Sequence, residues 1–278
     1  MKSIKQTGSR QCLCTLSLLL MSVFLLVATT AFSASEELAS ATAEQDADAR
    51  AILTKMADVL SQAPGFSVTV RSSYDSIQED GQHIEFGERR NILLQRPDRL
   101  RVDVERSDGD QGLVIFNGQT ITVFKAEDNV YAQVEKTGSV DNAIVHLVRN
   151  LQTPFPLARM FLTTLSRDMP KWIESVSYVE ENTLTTPPTD HLAGRAADVD
   201  FQIWVAQGKQ PLPQRIVLTY RNEPGQPQFR ADFIGWTLSP ANDATRFVFT
   251  PSEGAERIVF LAPVPVSSSP VEKEGDKP

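Results

Sequence analysis

Imidazole suits proton transfer or metal ligation near neutral pH, and the chain has only three histidines, His83, His146 and His191. They are scattered, and none is paired as His-x-x-x-His. The two cysteines, Cys12 and Cys14, lie together near the start. A metal needs three or four converging ligands, so no metal site is expected. The carboxylate pairs Glu180-Glu181 and Asp108 with Asp110 fall in what read as loops, where solvation accounts for them, and Asp-Gly-Asp is too short for a calcium loop. Gly-x-Ser-x-Gly, the phosphate-binding loop and the dinucleotide glycine pattern are all missing. The sequence therefore predicts no catalytic residue and no cofactor, and a binding protein rather than an enzyme.

Binding chemistry has better candidates. Gln95 to Arg101 gathers Arg96, Arg99, Arg101 and Asp98 around Pro97. Arginine suits a carboxylate or phosphate, although a turn entering a strand with a wet, charged face explains the same residues. Phe155, Leu157, Met160, Phe161, Leu162 and Leu165 would either fill a core or line an apolar cavity, where Met and Phe adapt well to flexible ligands. Trp204 and Trp236 sit in strand patterns, where burial is the plainer reading, and Trp172 follows Pro170 and Lys171 at a rim.

The ends and the charge narrow the setting. Lys2, Lys5 and Arg10 precede a nearly uncharged run from Leu13 to Ala28, and Ala31-Phe32-Ser33-Ala34 follows. That is the three-part pattern of a secretory signal, with cleavage near Ser33. A retained anchor is the alternative, but the run is at the short edge of a span and acidic residues follow at once. Both cysteines lie at the start of the apolar run, well ahead of the cleavage point, which excludes a lipid-modified cysteine there and leaves the mature chain without disulfides. The net charge is −8, and losing Lys2, Lys5 and Arg10 would deepen it. Nucleic acid is a poor partner for such a chain, and so is an anionic membrane surface.

Four segments are expected: a signal peptide (1–33), a flexible segment (34–49), one domain (50–262) and a disordered tail (263–278) rich in Pro, Ser, Glu and Lys. Ile52, Met56, Val59 and Leu60 have helical spacing, ended by Pro64-Gly65. From Phe66 the period changes to two, and about seven short antiparallel strands follow up to Glu135. Asn117-Gly118 signals a hairpin with positive φ at both positions. Ile144, Leu147, Val148 and Leu151 mark a second helix, capped by Ser139 or Asp141. Leu157 to Arg167 predicts a third, stopped by Pro170. Further strands are expected at 175–179, 191–195, 199–205, 216–220, 228–238 and 246–249.

This order of elements, with certain phrases, resembles a family of predicted periplasmic proteins, domain of unknown function 2092. The phrases are Gln95-Arg96-Pro97-Asp98-Arg99-Leu100-Arg101, Phe116-Asn117-Gly118-Gln119-Thr120, Asp200-Phe201-Gln202-Ile203-Trp204, Pro211-Leu212-Pro213-Gln214-Arg215 and Phe247-Val248-Phe249-Thr250-Pro251. The family is similar in architecture to the LolA and LolB lipoprotein carriers. The resemblance implies an α+β fold: a curved, incompletely closed antiparallel β-barrel with helices over its open, concave side. It also implies an apolar cavity between sheet and helices that holds acyl chains. Its expected lining is Phe155, Leu157, Met160, Phe161, Leu165, Ile144, Leu147, Leu151 and Trp204. The expected ligand is a lipid, an acyl chain or another hydrophobic small molecule, and the expected role is periplasmic carrier or sensor, with a lipoprotein or envelope protein as a further partner. The alternative is a non-enzymatic protein–protein interaction module of the cell envelope.

Overall fold

The computed structural model describes residues 45–260. The expected signal peptide with Cys12 and Cys14, and the expected tail, lie outside the described residues. Among those residues no helix is long and apolar enough to cross a membrane.

Helix α1 covers residues 45–62, so the last residues of the expected flexible segment, 45–49, are helical. Its buried stripe is Ala49, Leu53, Met56, Ala57 and Leu60, the i, i+4, i+7, i+8 spacing that puts apolar groups on one face. Ala63 N–H closes the last turn on the Val59 carbonyl at 3.2 Å. Gly65 follows, where a Cβ would lie 2.6 Å from the Leu94 carbonyl oxygen.

Six strands then meander: β1 (Gly65–Ile77), β2 (His83–Gln95), β3 (Arg99–Arg106), β4 (Gln111–Phe116), β5 (Thr120–Lys125) and β6 (Val130–Glu135). There are six rather than seven because β2 is continuous. Charged Glu88 and Arg90 interrupt its apolar alternation without breaking the strand. At Asn117-Gly118 only Gly118 has positive φ, +90°. The Asn117 side chain instead accepts from the N–H groups of Gln119 and Thr120, at 3.1 and 2.9 Å.

Helix α2 (Val140–Arg149) is capped by Ser139, whose side chain accepts from Asn142 N–H. The expected third helix is broken. A 3₁₀ turn at Ala158–Phe161, the four-residue α3 (Leu165–Asp168) and a second 3₁₀ turn at Met169–Lys171 take its place. Leu157 before the first turn has a left-handed backbone, φ +59°, and Leu162 after it is extended, with ψ 144°, so no continuous ladder can form.

The chain returns through β7 (Ile173–Asn182), β8 (Thr189–Ala196), β9 (Val199–Ala206), β10 (Pro213–Tyr220) and β11 (Gln228–Leu238). With a short last strand, β12 (Glu256–Ile258), the sheet order is β12-β6-β5-β4-β3-β2-β1-β11-β10-β9-β8-β7. The first half thus grows outward from β1 on one side, and the second half returns to β1 on the other. The terminal strands β7 and β12 do not pair with each other, so the curved sheet stays open. All pairings are antiparallel except the last: β12 (Glu256–Ile258) runs parallel to β6. Residues 246–249 are not a strand. A 3₁₀ turn at Ala244–Phe247, capped by Asp243, presses Phe247 onto Leu93 and Ile115 on the convex face.

The concave face holds one core from both halves of the sheet and both longer helices. At its centre Phe66 lies 5.5 Å from the rings of both Phe161 and Trp236.

Candidate functional site

Beneath the helices the interior is filled. Ile144, Leu147, Phe161 and Leu165 are at most 2 % exposed, and Met160 is 9 % exposed. Two voids remain beside them, of about 10 and about 20 Å³, each room for one water at most. Leu157 and Phe161 touch the first, and Leu147 and Phe155 the second.

The open space lies further along the concave face, where the sheet outruns its helical cover. A cleft of about 610 Å³ opens there between β1–β5 and the Leu151–Pro156 connection. Val104, Val114 and Val123 from three successive strands form its aliphatic wall, with Leu151 and Pro156 opposite and Phe229 at one end. Of the residues expected to line a cavity, Leu151 alone reaches this cleft; Ile144, Leu147, Met160, Phe161 and Leu165 belong to the packed core behind it. Trp204 must be corrected outright. It alternates with the buried Ile203 and Val205 and so points to the convex face, where its ring stacks on His191 at 4.1 Å.

The cleft contains charge that apolar periodicity does not announce. Arg90 and Glu88 share the phase of Ile92 and Leu94 on β2, which forces them inward. Their side chains are 9 % and 11 % exposed, and Glu88 Oε1 lies 2.5 Å from Arg90 Nε. The pair is too poorly aligned for a hydrogen bond, since that nitrogen is buried without one. Arg90 also lies 5.9 Å from the Phe155 ring centroid. At the rim Arg106 pairs with Asp110, and Lys125 with Asp128 at 2.6 Å. Inward charge in phase with an apolar strand was the signal in the sequence for this site.

The arginine turn is structural. Arg96 donates to the carbonyls of Ala63 and Phe161, and burial draws its pKa below the ordinary arginine value. Arg101 pairs with Asp103, which pushes its pKa up, and donates to the Arg246 carbonyl. Asp98 packs against Gly118. A second depression of about 600 Å³ wraps the rim and convex face among Arg71, Arg89, Arg215 and Arg230. No apolar side chain lines it, and most of its charges neutralise each other, as in Arg89–Glu105 and Arg215–Asp232.

His191 sits against Gln202 at 3.0 Å on the convex face, far in register from any cleft residue. Glu180 and Glu181, expected in a loop, end the edge strand β7 beside a bulge. Among the described residues no group of three or more His, Cys, Asp or Glu converges as a metal would require.

Residues 49–261 match the family described as predicted periplasmic protein (DUF2092). The chain belongs to that family. No curated protein matches it significantly. Among solved structures it is similar to an uncharacterized conserved protein from Thermus thermophilus, at 10 % identity over 76 % of this chain and 99 % of that one, with a TM-score of 0.45. It is also similar to the Mycobacterium tuberculosis lipoprotein LppX, at 12 % identity over 71 % and 98 % of the two chains and a TM-score of 0.43. A LolA superfamily protein from Nitrosomonas europaea shares 13 % identity over 72 % and 97 %, with a TM-score of 0.38. All three are distant likenesses.

Proposed function

We propose that this protein binds a hydrophobic molecule, a lipid or an acyl chain, in the cleft between the concave sheet and the Leu151–Pro156 connection, as a carrier or sensor exported to the periplasm. The observation that carries the reading is the cleft itself: about 610 Å³, within the roughly 300–1,000 Å³ of small-molecule sites, walled by valines and open to solvent. Each methylene buried there contributes about 0.8 kcal/mol, so a long chain offsets the entropy lost on capture. The Leu151–Pro156 connection suits a movable wall. It lacks helix and strand, and Gln152 and Leu157 at its ends hold positive φ, +49° and +59°, a costly state for such residues. Native mass spectrometry of protein purified from the periplasm, followed by solvent extraction, tests the reading. A co-purifying or readily loaded lipid supports it; a protein that neither carries nor takes up any lipid or acyl probe ends it.

One observation favours the second reading, an envelope interaction module. The outer edge of the ten-residue β7 pairs with no strand among the described residues, and Val179 on it is 50 % exposed. Such an edge can accept a partner strand. A stoichiometric polypeptide partner in envelope pull-downs, with no lipid, would decide for it.

A further inference from the structure

We infer that the cleft selects an amphiphile with an anionic head on a hydrocarbon chain, the head seated on Arg90 and the chain on an aromatic ledge formed by Phe86, Tyr74 and Phe229. This rests on the cleft being the ligand site, as proposed above, and adds the chemistry of what enters it.

Arg90 is the first element. Its cross-strand neighbours are Val70 on β1 and Val104 on β3, so a guanidinium stands between two valines. Its side chain is only 9 % exposed. It reaches the cleft and both small voids. A guanidinium carries five N–H donors, yet among the described residues Arg90 donates no hydrogen bond: Nε is buried and unsatisfied, and Glu88 beside it is misaligned. Unmade bonds on a buried charge are costly. A carboxylate or phosphate entering the cleft offers the planar, paired acceptors that a guanidinium fork matches.

The ledge is the second element. Tyr74 is in register with Phe86 on β2 and with Phe229 on β11, two residues along from the Ser72–Glu88 row and so about 7 Å away. The Tyr74 and Phe86 rings stack at 5.8 Å, and they remain 47 % and 42 % exposed. Tyr74 and Phe229 also line the cleft, so the ledge carries its apolar surface past the Ser72–Glu88 row toward the open end of the β1–β2 hairpin. A head group with no chain would leave this surface uncovered, and a chain with no acceptor would leave the Arg90 N–H donors without hydrogen bonds.

Fatty carboxylates and alkyl phosphates share this anion-plus-chain chemistry. Isothermal titration of the purified protein with dodecanoate, dodecyl phosphate, dodecanol and acetate separates the possibilities. We expect at least one of the two charged amphiphiles to bind about tenfold or more tighter than dodecanol, and the stronger of the two names the head group. Arg90→Met should bring both to the level at which the same variant binds dodecanol, with circular dichroism reporting that the variant is folded. Arg90→Lys keeps the charge without the fork and should retain part of the preference. Phe86→Ala should weaken every chain-bearing probe. Equal binding of dodecanol and the charged amphiphiles, or a preference that survives Arg90→Met, would overturn the head-group assignment and leave the apolar cleft standing. Acetate binding as tightly as dodecanoate would overturn the role of the ledge. If no chain-bearing probe binds, the cleft reading falls and this inference with it.

Discussion

The Arg96 guanidinium donates from Nη2 to the backbone carbonyl of Phe161 at 3.0 Å, and from Nη1 to that of Ala63. One side chain from the β2–β3 turn thereby ties the end of α1 to the 3₁₀ turn that closes the core. Both acceptors are main-chain carbonyls at helix ends, which otherwise lack partners. Arg96→Met should cost about 2–4 kcal/mol in chemical denaturation, because two carbonyls lose charge-assisted bonds at once. Arg96→Lys should recover only part of this, since one ammonium cannot reproduce the fork. Apolar probe binding in the folded fraction should be unchanged.

Val123 lines the cleft and neither of the small voids behind it. Val123→Trp therefore adds bulk where there is space rather than where the core is packed. The expected outcome is loss of acyl-probe binding by about tenfold or more, with stability within roughly 1 kcal/mol of the parent. Fluorescence titration and urea denaturation on one preparation check both halves. A variant that binds as the parent does would move the ligand elsewhere.

Much of the fold was legible because strand periodicity survives wherever one face is buried. Phe66, Val68 and Val70 were enough to phase β1, and 228–238 was placed to the residue as β11. The spacing of Leu157, Met160, Phe161 and Leu165 is helical, but the left-handed Leu157 and the extended Leu162 that break the helix leave no mark in that spacing. Residues 246–249 alternate like a strand, yet Phe247 is buried by a strap across the convex face. The parallel β12 pairing is non-local and leaves no local pattern. The site was only partly legible. Apolar helix residues mark what is buried, but a void depends on how far the sheet extends past its cover, and composition does not encode that. Gly194 shows the same limit: it reads as an ordinary strand residue, yet a Cβ there would lie 2.4 Å from the Ser175 carbonyl oxygen and 2.5 Å from the Phe201 ring.

Asp75 joins β1 to the far half of the sheet by accepting from Arg230 at 2.8 Å and from the Gln228 N–H at 2.9 Å. The Arg230 bond is the chief reason its pKa lies below the ordinary aspartate value, and burial opposes it. A carboxyl depressed in the folded state adds stability at pH values above its unfolded pKa of about 3.9 and loses that contribution as pH falls through the folded value. Stability should therefore decline below about pH 4. Asp75→Asn should be less stable than the parent at neutral pH and should lose less on acidification, so the two denaturation curves converge in acid. Curves that stay parallel from pH 7 to pH 3 would show that Asp75 plays no part in the acid response.

Trp204 provides a control on which face of the sheet binds. Its ring lies 4.1 Å from that of His191 at an interplanar angle of 9°, and the Arg215 guanidinium stands 5.7 Å from its centroid. These contacts are on the convex surface, and no residue of β7–β10 lines the cleft. Aromatic stacking contributes about 0.5–1.5 kcal/mol beyond the area it buries, and the arginine adds about 0.5–1 kcal/mol at a partly exposed site. Trp204→Ala should thus lower stability by roughly 1–3 kcal/mol while leaving acyl-probe affinity within about twofold of the parent. Denaturation and probe titration of the same variant give the comparison. The opposite pattern, full stability with lost affinity, would place the ligand on the convex face and remove the case for the concave cleft.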